Sequence, residues 1–156
     1  MRPAEELRYL ILAVQREGNR MLAANLRPLG VTPSQAEVLR VLADHQPLTL
    51  AGLGELLVCE TGGSPSRLVD RLVSIGLVDR GAGEDDRRRV ALALTDDGRR
   101  LAARVAEVEE QLYGTIDDLT RGTPVAEALT LLRSFAGAFP SGRAVVRRGG
   151  QPASAP

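Results

Sequence analysis

Apolar residues recur at two different periods along this chain, and the switch between them marks out its elements. From Pro3 to Arg27, Leu7, Ile11, Val14, Met21 and Leu22 fall at helical spacing, with Glu5 and Glu6 in the first turn, where the helix dipole favours acids. Pro28 and Gly30 stop this helix. Thr32-Pro33-Ser34-Gln35 starts the next, with threonine as N-cap, proline at the first helical position and glutamine placed to close a capping box. That second helix is expected to bury Ala36, Leu39, Leu42 and Ala43. Pro47 and Thr49 mark a junction before a short helix carrying Leu53, Leu56 and Leu57 and weakened by Gly52 and Gly54. Ser64-Pro65 repeats the cap-and-proline start, and Leu68, Leu72 and Ile75 line one face of a fourth helix until Gly76 offers a left-handed stop.

After Gly76 the period changes from helical to alternating. Leu77-Val78 and Val90-Ala91-Leu92-Ala93-Leu94 read as two strands of a hairpin with one buried face, joined by a polar tip from Gly81 to Arg89. Thr95 caps a long helix whose Leu101, Val105, Val108, Leu112, Ile116 and Leu119 suit packing against another helix. Gly122-Thr123-Pro124 starts a last helix bearing Val125, Leu129, Leu132, Phe135 and Phe139. Ser141 to Pro156, rich in Ser, Gly, Arg, Pro and Ala, is expected to be mostly disordered.

This order predicts a mainly α fold with a small β-hairpin wing (α+β). Its centre is a winged helix-turn-helix at residues 31–95. The flanking helices at 1–30 and 96–140 form a dimerisation region, and 141–156 is a tail. In such a unit the helix beginning at Ser64-Pro65 enters a DNA major groove. Its polar face shows Ser66, Arg67, Asp70, Arg71 and Ser74, and entry from the N-terminal end brings Ser64, Ser66 and Arg67 nearest the base edges and Arg71 nearer the backbone. Arginine takes guanine O6 and N7 together, so Arg67 is the expected specificity contact. At the wing tip Arg87, Arg88 and Arg89 project together, as a narrow minor groove favours, while Glu84, Asp85 and Asp86 precede them. Asp86 is expected to turn back and hold an arginine in place. Ser34 and Thr61 complete the expected DNA contacts.

Composition narrows the choice of partner. The 20 basic residues are all arginine and are balanced by 20 acids, so nucleic-acid binding must use a local cluster rather than bulk charge. Without lysine there is no Gly-Lys-Ser/Thr phosphate loop. Aromatic residues are 3% of the chain, too few for the stacking platforms of single-strand binders, which leaves duplex DNA. One cysteine, Cys59, and one histidine, His45, exclude a disulfide framework and leave too few ligands for an ordinary zinc site. No cofactor, metal or catalytic function is expected. No apolar run approaches the ~18 residues of a membrane span, and Tyr9 to Val14 is too short and follows acids, unlike a signal peptide, so a cytoplasmic location is expected.

The motifs together resemble the MarR-type transcriptional regulators: Val31-Thr32-Pro33-Ser34-Gln35, then Arg67-Leu68-Val69-Asp70-Arg71-Leu72 with Gly76-Leu77-Val78, then Asp86-Arg87-Arg88 with Leu94-Thr95 and Gly98. The resemblance covers Val31 to Leu101 closely. It departs at the helix start, where Thr61-Gly62-Gly63 precedes Ser64-Pro65. It implies that Asp86 and Arg88 are the family's wing Asp-x-Arg, with Arg88 inserted in the minor groove, and that Arg67 lies on the recognition helix. It also implies a response to a small, often aromatic or phenolic acid near the junction of reader and dimer helices, for which Arg16, Arg20 and His45 are the available cations. Apolar surface on the end helices exceeds what the central unit can cover, so a homodimer reading a pseudo-palindrome is expected. The expected function is a ligand-responsive homodimeric repressor. The alternative is a winged-helix protein-interaction module without DNA binding.

Overall fold

Helix-start chemistry read from the chain is met at Thr32, Thr49 and Thr95, whereas Ser64 stands at its helix start without a side-chain cap bond. The computed structural model describes residues 1–59, 64–82 and 90–150 of the 156-residue chain. In order these form α1 (Pro3–Leu26), a 3-10 turn (Arg27–Leu29), α2 (Pro33–His45), α3 (Leu50–Leu56), α4 (Pro65–Ser74), β1 (Val78–Ala82), β2 (Val90–Leu94), α5 (Asp96–Thr120), α6 (Val125–Ala136) and α7 (Pro140–Gly150). The capping box of α2 is complete: the Thr32 hydroxyl accepts the Gln35 amide at 3.2 Å, and the Thr32 amide donates to Gln35 Oε1 at 3.0 Å. Thr49 caps α3 by accepting the Gly52 amide at 3.0 Å, and Thr95 caps α5 by accepting that of Gly98 at 2.9 Å. The Thr95 hydroxyl also donates to the Gly76 carbonyl at 2.7 Å. Gly76 takes the left-handed φ of 76° that turns the chain from α4 into the wing.

The wing is an antiparallel pair in which Val78 faces Leu94, Arg80 faces Leu92 and Ala82 faces Val90. Leu48, in the segment before α3, pairs with Leu92 on the other edge of β2, through amide bonds of 3.1 and 2.7 Å. Gln46 Oε1 adds an acceptor for the Leu94 amide at 2.7 Å. The hairpin is thus stitched to the helix-turn-helix. One core joins them, in which Leu26, Val38, Leu39, Leu42, Leu53, Val69, Leu72, Val78, Leu92 and Val105 are buried completely or nearly so.

Three expectations are corrected. Ala43 is exposed, on the outward side of α2 beside Asp44. In α4 the buried pair is Val69 and Leu72, with Leu68 half-buried and Ile75 exposed, because two adjacent stripes both satisfy a helical period and the packing partners choose between them. The stretch from Ser141 is not irregular: Pro140 opens α7, and Ala144 on it is buried. Its Gly- and Arg-rich composition hid a helix that is held by contacts with distant parts of the chain. Residues 151–156 lie outside the described part.

The end helices present the opposite balance. Leu26 is the buried residue of α1, α6 has none, and Tyr9, Leu10, Val14, Ile116, Leu119, Leu131 and Phe135 all stand exposed. Among the described residues no helix is long and apolar enough to cross a membrane.

Candidate nucleic-acid interface

The residues expected on the reading face of α4 are brought together there. With Val69 and Leu72 sunk in the core, Arg67, Asp70, Arg71 and Ser74 face outward, Ser66 is half-buried, and Ser64 is exposed at the helix start. Pro65 at the first turn removes an amide that would otherwise lack a partner. The Ser74 hydroxyl is used internally, donating to the Arg71 carbonyl at 2.7 Å.

Asp70 is not paired with either arginine of its own helix. Its carboxylate is held by Arg80 of β1. Arg80 was missed in the sequence, although alternation from Val78 places it on the inner face of the hairpin with Leu92, opposite α4. The pairing ties wing to helix and neutralises the acid on the reading face. Among the described residues Arg67 and Arg71 have no carboxylate within ion-pair distance, so both guanidinium groups present their charge outward. Thr61, Asp86, Arg87 and Arg88 lie outside the described residues, as do Glu84, Asp85 and Arg89.

Behind the helix-turn-helix, a cavity of about 1050 Å³ opens between α1, the start of α2 and the segment after α3. Arg16, Asn19, Arg20, Ser34 and Cys59 are on its wall. The structure therefore brings Arg16 and Arg20 to one cavity, with Arg20 also bonded to Glu17, and leaves His45 off its wall. Ser34, expected to touch DNA, lines this cavity. Cys59 is half-buried, and burial, followed by the nearby Glu37 carboxylate, pushes its thiol up to about 11. The thiol stays protonated at neutral pH and is a weak nucleophile there.

Glu37 was also missed. It lies among Ala36, Val38 and Leu39 and is 7% exposed. Its carboxylate accepts the Val58 amide at 2.7 Å and the Cys59 amide at 2.9 Å, and binds the Arg148 guanidinium. None of these partners is close to it in sequence, so only the folded chain shows why an acid is tolerated inside.

Three helices followed by an antiparallel wing, with arginines on the outward face of the third, define a winged-helix protein. Residues 29–89 match the MarR family. The multiple antibiotic resistance protein MarR of Escherichia coli (strain K12) is 32% identical over 124 residues, covering 78% of this chain and 83% of that protein. The organic hydroperoxide resistance transcriptional regulator of Bacillus subtilis (strain 168) is 29% identical over 114 residues, covering 73% and 77%. A solved structure of a mutant of E. coli MarR complexed with operator DNA matches with a TM-score of 0.68 at 29% identity, covering 86% of this chain and 94% of that one. The chain belongs to the MarR family of transcriptional regulators.

Proposed function

We propose that this protein is a homodimeric repressor that binds a pseudo-palindromic operator in duplex DNA and is released by a small anionic effector. The observation that carries this reading is the outward face of α4, where Arg67 and Arg71 stand on a helix whose other side is fixed in the core and whose acid is neutralised from the wing. A relative that resembles the chain over most of its length, the mutant E. coli MarR, was solved complexed with operator DNA, which supports the same placement here. Arg67 reads a guanine in the major groove, and Arg88 enters the adjacent minor groove with Asp86 orienting it. Ser64, Ser66 and Thr61 are the remaining DNA contacts of this reading.

Exposed apolar side chains of α1, α5 and α6 support the dimer, because a second copy removes them from water. The cavity bearing Arg16 and Arg20 supports an anionic effector, since it sits where the reader joins α1 and can favour one spacing of the two reading heads. Fluorescence anisotropy on duplexes from upstream of the gene for this chain tests the reading. Arg88→Ala is expected to weaken binding at least about tenfold while sedimentation still shows a dimer. Unchanged affinity would remove the wing from the interface, whereas a wild-type protein that binds no duplex would favour a protein-interaction module.

A further inference from the structure

The weakest helix of the reader is held from the far end of the chain. α3 has seven residues, two of them Gly52 and Gly54, which weaken a helix relative to alanine, and is too short to persist unaided. Its last carbonyls have no partner within the helix. Arg148 on α7 donates from Nε to the Leu56 carbonyl at 2.6 Å, and Arg147 donates to the Glu55 carboxylate at 3.2 Å. Two arginines from α7 thus meet the negative end of α3.

The same Arg148 guanidinium binds the buried Glu37 carboxylate, which in turn holds the amides of Val58 and Cys59. One side chain therefore joins α2, the end of α3, α7 and, through Glu37, the backbone at Val58 and Cys59. The position of α7 is itself fixed. A Cβ on Gly142 would stand 2.0 Å from the Ala136 carbonyl oxygen, so the α6–α7 corner closes only around glycine. Ala144 is 2% exposed on the inner side of α7.

We propose that Arg148 is a positioning residue for DNA recognition, making α7 a splint that fixes the end of α3 and the Val58–Cys59 backbone, and so holds α3 where Gly54 lies against Pro65 at the start of the recognition helix. This rests on the reading that α4 binds DNA. Without Arg148 the Glu37 carboxylate keeps its amides but loses its counter-charge inside the protein, and it moves toward water with Val58 and Cys59 attached.

Cys59, the only cysteine, reports on this segment in the full-length protein. The charge of Arg148 lowers the Cys59 pKa, so its loss alone would slow alkylation, whereas loosening of the segment speeds it. Arg148→Met is expected to raise the iodoacetamide rate at pH 8 about tenfold, and to weaken operator binding by a similar factor with the salt slope unchanged, since Arg148 neutralises no phosphate. Arg148→Lys, able to reach Glu37 or Leu56 but not both, is expected to restore part of both. Arg67→Ala is expected to weaken operator binding without changing the Cys59 rate. Alkylation that is unchanged or slower in Arg148→Met would overturn the splint, as would faster alkylation with full operator affinity. A wild-type protein that binds no upstream duplex would instead overturn the DNA reading, so the two failures are told apart.

Discussion

Arg67 and Arg71 stand one helical turn apart on α4. On the proposed reading Arg67, near the N-terminal end, takes a base edge, and Arg71, further along, takes phosphate. Arg67→Ala should cost about 1–3 kcal/mol on the operator and relax preference at one base pair. Arg71→Ala should weaken all duplexes alike and reduce the salt slope by about 0.9. Affinity measured against operator and scrambled duplex from 50 to 200 mM salt separates the two, and equal losses on both duplexes for Arg67→Ala would contradict the assignment. Both arginines were legible from sequence because they share a helical face opposite an apolar stripe. Arg80 and Glu37 were not. Arg80 looks like any strand arginine until its pairing with Asp70 is seen, and Glu37 looks like a surface acid until Val58, Cys59 and Arg148 converge on it.

Between elements, the fit of α5 against the wing depends on one small residue. A Cβ on Gly98 would lie 2.0 Å from the Leu77 carbonyl oxygen and 3.3 Å from the Leu94 side chain. That carbonyl already accepts the Thr95 amide at 3.1 Å and cannot move away freely. Gly98→Ala should therefore force α5 off the hairpin and destabilise the protein by about 1–3 kcal/mol, read as a Tm loss of roughly 3–10 °C. An unchanged Tm would show that the junction yields. The order and starts of α1 to α5 and the two strands were readable because caps, prolines, glycines and the change of apolar period are local signals. The sequence shows Gly98 as part of the family resemblance, and the fold supplies its reason. The helix α7 escaped because its few apolar residues give no amphipathic stripe of the usual width, and its stability comes from α3, Glu37 and a corner closed around Gly142.

At the largest scale, a reader with a filled core is joined to arms that leave Tyr9, Leu10, Val14, Ile116, Leu119, Leu131 and Phe135 exposed. Arg40 on α2 bonds Glu109 on α5 at 3.1 Å, which links the reader to the arms. Leu7, Leu10, Ile11 and Val14 of α1 and Leu131 and Leu132 of α6 line an apolar groove of about 450 Å³. Leu132→Arg places a charge there and should shift the protein to monomer in sedimentation at micromolar concentration, with loss of operator binding. A variant that stays dimeric would exclude this groove from the interface. An excess of apolar surface on the end helices was visible in the sequence, whereas which faces remain uncovered depends on how the chain folds back. On the proposed reading, two copies set their α4 helices into successive major grooves of one duplex. Dimethyl sulfate footprinting of the upstream DNA decides whether they do. The wild-type protein should protect guanine N7 at two symmetric positions about one helical turn (~34 Å) apart, and both protections should vanish together in Arg67→Ala while the dimer persists. Protection at a single groove, or protections that survive Arg67→Ala, would contradict it.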